Sequence, residues 1–246
     1  MKPILRPLVF TVALIALALH PESRAAIVLP LEITFDTEAD YTDNFTSING
    51  SGIVWNGEAG TLSKTGTGTH NLLFNETGLA DVTVSISASF SSSSPSIGLW
   101  QGTSSTSTGF LGLVNRVSTT DVRLRIYNAN LGTNLGTATP IYEATHTLAS
   151  FATDTFYTVA FTAIDTDTGT NLALDFLDVS GSRLATSGLV SSTASMIGSQ
   201  VGFRASSQTI TLDNFAIASA IPEPATVASI FGLCALAAIA MPRRVR

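Results

Sequence analysis

In the segment DVTVSISASF every second residue is apolar: Val82, Val84, Ile86, Ala88 and Phe90 alternate with Asp81, Thr83, Ser85, Ser87 and Ser89. A period of two puts one set on the face toward a core and the other toward water, so this stretch is a half-buried β-strand. The pattern recurs. Asp121 to Tyr127 turns Val122, Leu124 and Ile126 inward and Arg123 and Arg125 outward, and Phe156 to Ile164 with Leu172 to Val179 reads as a hairpin across residues 165–171. Further strands are expected near Leu31–Phe35, Gly60–Lys64, Asn71–Phe74, Ile97–Gln101, Phe110–Asn115, Gln200–Arg204 and Thr209–Ile217. Between residues 26 and 220 no stretch combines helical spacing with good helix formers for three turns. About a dozen short strands joined by Gly, Ser, Thr and Asn turns predict an all-β fold, an antiparallel two-sheet jelly-roll-like sandwich.

The ends of the chain follow other rules. Residues 225–241 carry no charge, and 17 positions at about 1.5 Å each give a transmembrane helix slightly shorter than a bilayer core. Pro222, Glu223 and Pro224 precede it, and Arg243, Arg244 and Arg246 follow, charges that tend to stay on the cytoplasmic side. The competing reading is a buried C-terminal helix of the domain, but a helix apolar on every face needs complete surroundings. At the other end Lys2 and Arg6 precede the apolar stretch Leu8–Leu19, and Ser23 and Ala25 suit the positions three and one before a signal-peptidase cut. Cleavage after Ala25 defines a signal peptide over residues 1–25. An uncleaved anchor is the alternative, and leaves the domain on the same side of the membrane.

The C-terminal order of Pro-Glu-Pro, apolar helix and arginine cluster resembles the PEP-CTERM sorting signal of exopolysaccharide-producing Gram-negative bacteria. The resemblance covers residues 221–246. The N-terminal signal implies delivery by the secretion translocon; the resemblance implies recognition by an exosortase at an inner-membrane intermediate, removal of the helix, and a final place on the outer surface or in the extracellular matrix. Its logic parallels other C-terminal signals whose hydrophobic tail is absent from the mature protein.

Residues 26–220 then form one domain, long enough for a full core. Six Lys and Arg face sixteen Asp and Glu there, a formal charge of 6 minus 16, or about minus ten, which repels nucleic acid. The one cysteine, Cys234, falls in the terminal helix. The domain therefore holds neither a disulfide nor a cysteine-ligated metal.

The strand count and the closing stretch Ile210 to Ile217, with Leu31 to Asp36 as its expected neighbour, resemble concanavalin-like or laminin-G-like jelly rolls. That resemblance implies a concave face or rim loops able to bind glycans or proteins, and some members hydrolyse polysaccharides. The residues themselves argue against hydrolysis. Retaining glycosidases need two carboxylates about 5 Å apart. The alternating Glu-x-Asp-x-x-Glu strand is missing, and Glu32, Glu38, Glu58, Glu76 and Glu143 are scattered. No Gly-x-Ser-x-Gly elbow accompanies His70 or His146, which read as ordinary polar-face residues.

Binding candidates are more concrete. Asp165, Asp167 and Asn171, in a glycine-bearing loop, offer hard oxygens at spacings that would wrap Ca²⁺; a plain hairpin turn is the competing reading. Asp213 and Asn214 would join Asp36 or Asp40 if the terminal strands pair, or else form an Asx turn. Trp55 and Trp100, if exposed, would stack on sugar rings, while core placement is the rival reading. Alternation puts Trp100 on the face opposite Leu99. These readings rank an exported structural or adhesive protein of the exopolysaccharide first. A calcium-assisted carbohydrate-binding module comes second and a polysaccharide-modifying enzyme third.

Overall fold

The computed structural model describes residues 28–91, 95–206 and 210–220, and the period-two segments within them are strands. In chain order the elements are β1 (Leu31–Ile33), α1 (Glu38–Thr42), β2 (Phe45–Gly50), β3 (Ile53–Asn56), β4 (Thr61–Lys64), β5 (Thr69–Phe74), β6 (Val82–Phe90), β7 (Ser96–Thr103), β8 (Thr108–Arg116), β9 (Asp121–Asn130), β10 (Tyr142–Thr147), β11 (Phe156–Thr166), β12 (Gly169–Leu177), β13 (Arg183–Thr186), β14 (Val190–Ser192), β15 (Gln200–Ser206) and β16 (Ile210–Ser219). The segment 1–25 with its cleavage site at Ala25, and the segment 221–246 with Pro222, Glu223, Pro224, Arg243, Arg244 and Arg246, lie outside the described residues. Among the described residues no helix is long and apolar enough to cross a membrane.

The strands form two antiparallel sheets. One has the order β13-β12-β11-β6-β16-β4-β3, with β1 added to β16 and β14 to β12; the other has the order β10-β9-β8-β7-β15-β5-β2. The first and last strands are neighbours as expected, Leu31 opposite Ile217 and Ile33 opposite Phe215. The hairpin is tighter than its sequence suggests: pairing runs on to Thr166 opposite Gly169, so only Asp167 and Thr168 turn. Gly169 is required there, because a Cβ would meet the Ser192 carbonyl oxygen at 2.0 Å.

Burial follows the alternation. Val82, Val84, Ile86, Ala88 and Phe90 have no more than 1% of their surface exposed, and face Ile97, Leu99, Phe110, Val114, Val122, Leu124 and Ile126 of the other sheet in one core. Each such Val, Ile, Leu or Phe contributes about 1.5–3 kcal/mol by leaving water, and the Ala88 methyl less. Two aromatic groups anchor the ends. Phe35, Phe45, Phe74, Phe203 and Phe215 meet at 5.1–6.5 Å between centroids, and Phe90, Phe151, Tyr157 and Phe176 at 5.0–6.4 Å. Gly112 lets the sheets close, since a Cβ there would lie 2.6 Å from the Phe161 ring. Gln101, buried between the sheets, donates to the carbonyls of Val82 (3.1 Å) and Phe161, satisfying its amide inside the core.

Five strands, β2, β3, β10, β13 and β14, escape the sequence reading. They lie at or near sheet edges and carry mixed, largely exposed residues, so the alternation that marks a half-buried strand is weak in them. The short helix α1 starts at a capping box. The Asp40 amide donates to Thr37 Oγ1 at 3.3 Å and the Thr37 amide to Asp40 Oδ2 at 2.8 Å.

Candidate functional site

The strands of the seven-stranded sheet send alternate side chains into the sandwich and away from it. The outer set forms rows, because antiparallel register places the residues of neighbouring strands side by side. One row reads Glu143, Arg125, Leu113, Gly98, Arg204, Asn71, Asn49 from β10 to β2. The row on one side reads Thr145, Arg123, Asn115, Ser96, Ser206, Thr69. The row on the other side reads Tyr127, Leu111, Trp100, Gly202, Leu73, Thr46.

From Tyr127 to Leu73 that third row is apolar and closed to water; only Thr46, at the β2 edge, is exposed. Leu73, Trp100, Leu111, Leu113, Tyr127 and Ala129 form a second buried cluster outside the sandwich core, roofed by Leu131 and Leu135. The roof is the β9–β10 connection, which contains Asn-Leu-Gly-Thr twice in succession at 130–133 and 134–137. Each copy closes an Asx turn: Asn130 Oδ1 accepts from the Gly132 amide and Asn134 Oδ1 from the Gly136 amide, both at 3.0 Å. Both leucines thereby point down onto the sheet. This doubled tetrapeptide was the available signal for the site, and hydrophobic periodicity overlooks it because its repeat is a turn.

A polar network clamps the roof. Trp100 Nε1 donates to Asn71 Oδ1 at 2.9 Å, Asn71 Nδ2 donates to Asn49 Oδ1 (2.5 Å) and to the Leu131 carbonyl (3.2 Å), and Asn49 Nδ2 donates to the same carbonyl (2.9 Å). Between this clamp and the polar rows opens a cleft of about 330 Å³, lined by Asn49, Thr69, Asn71, Arg204 and the turns from Leu131 to Gly136. Its wall offers hydroxyls, amides and a guanidinium at the edge of an apolar floor, the composition that grips a polar, hydroxylated ligand.

Charge is distributed unevenly over the protein. Arg123, Arg125 and Arg204, three of the six Lys and Arg among the described residues, stand half-buried on this outer face. The other three are committed elsewhere. Lys64 Nζ donates to the Thr65 and Gly66 carbonyls, Arg116 donates to backbone carbonyls inside the fold, and Arg183 pairs with Asp175 at 3.0 Å. Of sixteen described carboxylates only Asp121 and Glu143 sit on strands of this sheet, both at its β9–β10 edge. Asp121 accepts from Ser118 and Thr147, and Glu143 lies 3.6 Å from Arg123.

The three arginines are incompletely matched. The Nε atoms of Arg123, Arg125 and Arg204 are buried without a hydrogen-bond partner. Arg125 donates through Nη2 to Asn115 Oδ1 and lies 5.7 Å from the centroid of the Tyr127 ring; Arg204 donates through Nη2 to Thr69 Oγ1 at 3.3 Å. Burial holds Arg204 below the ordinary guanidinium range; Tyr127 opposes that shift and Arg125 adds to it.

The residues singled out by sequence are dispersed. Trp100 is on the expected face, yet its exposure is 0%, so its ring is closed to a sugar while the roof is in place. The protein hides it under a loop rather than between the sheets. Trp55, half-buried on β3, donates its Nε1 to the Phe35 carbonyl at 2.9 Å. Asp165 and Asn171 project to opposite faces of the nine-stranded sheet: Asp165 shares the core-side parity of Phe161 and Ala163, whereas Asn171 bonds Ser191 on the outside. Asp165 Oδ1 accepts from Thr170 Oγ1 (2.7 Å) and the Met196 amide (3.2 Å), and Asp167 lies in the exposed two-residue turn. The ladder thus separates the three expected oxygen donors. Asp213 accepts from the Asn214 amide at 2.8 Å, a bond to the next residue, whereas an Asx turn bonds the amide two residues on. Burial pushes its carboxyl above the aspartate range, the Asn214 amide opposes this, and Asp36 and Glu32 add to it. Asp40 is used by the α1 cap. Among the described residues no three His, Cys, Asp or Glu are grouped to hold a metal ion.

His70, read as a polar-face residue, is instead buried. Its Nδ1 accepts from the Ile53 amide at 3.1 Å and its Nε2 lies 2.7 Å from Ser47 Oγ. It joins the edges of the two sheets.

No family model and no curated protein matches this chain. Several solved structures share its fold. A carbohydrate-binding module, CBM66 from Bacillus subtilis, aligns at 15% identity over 72% of this chain and 96% of its own, with a TM-score of 0.50. The potassium-bound carbohydrate recognition domain of Emp46p aligns at 13% identity over 78% and 97%, with a TM-score of 0.54. A prokaryotic β-1,3-1,4-glucanase (lichenase) derived from a mouse hindgut metagenome aligns at 10% identity over 77% and 99%, with a TM-score of 0.53. At these identities the likeness establishes the two-sheet sandwich and nothing finer.

Proposed function

We propose that the sandwich is a carbohydrate-binding domain of an exported protein, and that it holds an extracellular polysaccharide in the cleft on the outer face of the seven-stranded sheet. The observation that carries this reading is the cleft itself, about 330 Å³ between a clamped loop and a row of Asn, Thr and Arg side chains. Three dissimilar proteins that share the fold are named for carbohydrate binding, carbohydrate recognition or glucan hydrolysis, which supports the same choice of ligand. The sorting-signal residues Pro222 to Pro224, the apolar run 225–241 and Arg243, Arg244 and Arg246 support an address outside the cell, with the translocon and an exosortase as transient partners and exopolysaccharide as the lasting one. In this reading the protein is structural or adhesive within the matrix. None of the described residues lining the cleft is an Asp or Glu, so it lacks the acid pair that glycoside hydrolysis uses.

The test is affinity electrophoresis of the purified protein through gels containing extracellular polysaccharides, with Gly132→Trp as the blocking variant. Gly132 lines the cleft and a Cβ there meets only Asn130 Oδ1, at 3.5 Å, so the position admits a side chain and the indole is expected to occupy the cleft. The expected result is retardation that falls at least tenfold in the variant at unchanged thermal stability, and that persists in EDTA because the cleft's donors belong to the protein. Passage without retardation through every polysaccharide, or equal retardation of both proteins, rejects the reading. Mass spectrometry of the secreted and membrane fractions tests the address, since a C-terminus intact beyond Pro224 in all fractions overturns sorting.

A further inference from the structure

We infer that the ligand of this face is an acidic polysaccharide, a sugar chain bearing carboxylates, gripped by Arg204 and Arg125 with Arg123 beside them; the inference rests on the carbohydrate reading above and adds the charge of the ligand to it.

The protein as a whole argues the other way, which makes the local pattern informative. A chain with about ten excess negative charges between residues 26 and 220 repels anions in general. Only a face that concentrates cations and excludes carboxylates can reverse that locally. Three of the six cations stand on this face against two of the sixteen carboxylates, and those two are at one edge. The cations of the rest of the fold are spent on carbonyls or a carboxylate, so they are structural.

Register fixes the spacing. Arg204 and Arg125 occupy one row, separated by Gly98 and Leu113, so three strand spacings of about 4.8 Å place their backbones about 14 Å apart. Between them Gly98 contributes no side chain, and the Leu111 and Leu113 methyl groups pack over it, so an apolar floor separates the two arginines. Arg123 precedes Arg125 by two residues on the same strand, about 7 Å away, on the same face. A row of this length covers more than one sugar ring of an extended chain, with repeated anionic substituents facing repeated guanidinium groups.

The chemistry of the groups selects the anion. A planar guanidinium suits the two oxygens of a carboxylate, and the incomplete matching of these three groups within the fold shows in their buried, unpartnered Nε atoms. The mutual repulsion of Arg125 and Arg204 is relieved when a negative group lies between them. Glu143 approaches Arg123 from β10 at 3.6 Å with both side chains more than a third exposed, a weak contact that a ligand carboxylate readily displaces.

The experiment measures binding of the purified protein to polygalacturonate, alginate and hyaluronate, to the methyl ester of each, and to poly-glutamate. The ester keeps the sugar chain and removes its charge. Poly-glutamate keeps the charge and removes the sugar. We expect at least one uronate polymer to bind at least tenfold more tightly than its ester and than poly-glutamate, with affinity falling as NaCl is raised. Arg204→Gln and Arg125→Gln each lower that affinity at least tenfold, Arg125→Lys recovers only part of it because the fork is gone, and Arg183→Gln on the opposite sheet leaves it unchanged. Equal binding of acid and ester overturns the acidic ligand while leaving the carbohydrate reading intact. Poly-glutamate binding as tightly as the uronates overturns it as general electrostatics. Failure of every sugar polymer removes both readings. The ester comparison uses the unaltered protein, so it decides the matter even if an arginine variant folds poorly.

Discussion

The indole of Trp100 on β7 reaches across β15 to donate to Asn71 on β5, 2.9 Å from Nε1 to Oδ1. The strand between them presents Gly202 at that row, so the ring crosses without meeting a side chain. Asn71 spends its amide on Asn49 and the Leu131 carbonyl, so one side chain ties the floor of the outer face to its roof.

Removing it should release the roof. Asn71→Ala takes the partner from the indole N–H and from Asn49 Oδ1 and leaves the Leu131 carbonyl held by Asn49 alone, at a cost of about 2–4 kcal/mol for the group of bonds. Chemical denaturation read by tryptophan fluorescence measures the loss, and a red-shifted native emission reports water reaching Trp100. An unchanged emission maximum with full stability would show that the leucines alone hold the loop. Asn71→Asp keeps the acceptor for Trp100 but buries a carboxylate oxygen against Asn49 Oδ1 and the Leu131 carbonyl, so it should destabilise at least as much as Asn71→Ala.

A second prediction concerns pH. His70 Nδ1 accepts from the Ile53 amide, so the buried ring is neutral, with its proton on Nε2 facing Ser47. Burial, joined by the nearby Lys64, lowers its pKa from the ordinary histidine value. Unfolded, the ring takes a proton below about pH 6.5. The unfolded state therefore binds more protons in that window, and stability present above pH 6.5 declines progressively as pH falls toward the lowered folded value. Denaturant midpoints between pH 8 and pH 5 check this against His70→Gln, whose stability should lack the histidine component of the slope. Parallel profiles for the two proteins would contradict it.

Much of this architecture was legible in the residues, and the reasons are local. Asp81 to Phe90 and Asp121 to Tyr127 announce themselves because each strand has one dry face, and periodicity registers that directly. The pairing of Leu31 with Ile217 followed from the expected return of the last strand to the first. The site was less legible. Trp100 and Asn71 have no relation in sequence and meet only through the order β7-β15-β5. Arg123 and Arg125 were visible as outward residues, but their alignment with Arg204 depends on register across four strands. The spacing of Asp165, Asp167 and Asn171 looked like a ligand loop because sequence separation ignores the pleat, which throws Asp165 and Asn171 to opposite sides.

Arg116 supplies the last prediction, since it looks on paper like another member of the basic face. Its neighbours in β8 show the difference: Asn115 points outward, so Arg116 points into the fold, where only 4% of it is exposed. There Nη1 donates to the Phe90 carbonyl at 3.0 Å, Nη2 to the Phe151 carbonyl at 2.9 Å and Nε to the Ser118 carbonyl at 3.2 Å, with the guanidinium carbon 4.9 Å from the centroid of the Phe151 ring. One side chain thus closes three chain segments over the Phe90, Phe151, Tyr157 and Phe176 group. Arg116→Met keeps much of the apolar stem and strands three carbonyls, so it should destabilise the fold by about 2–4 kcal/mol. Arg116→Lys retains the charge but not the planar fork, and should recover less than half of that. Urea unfolding of the three proteins gives the order, while polysaccharide binding at temperatures well below the transition stays the same for all. A loss of binding in folded Arg116→Met would mean that this arginine, too, serves the ligand.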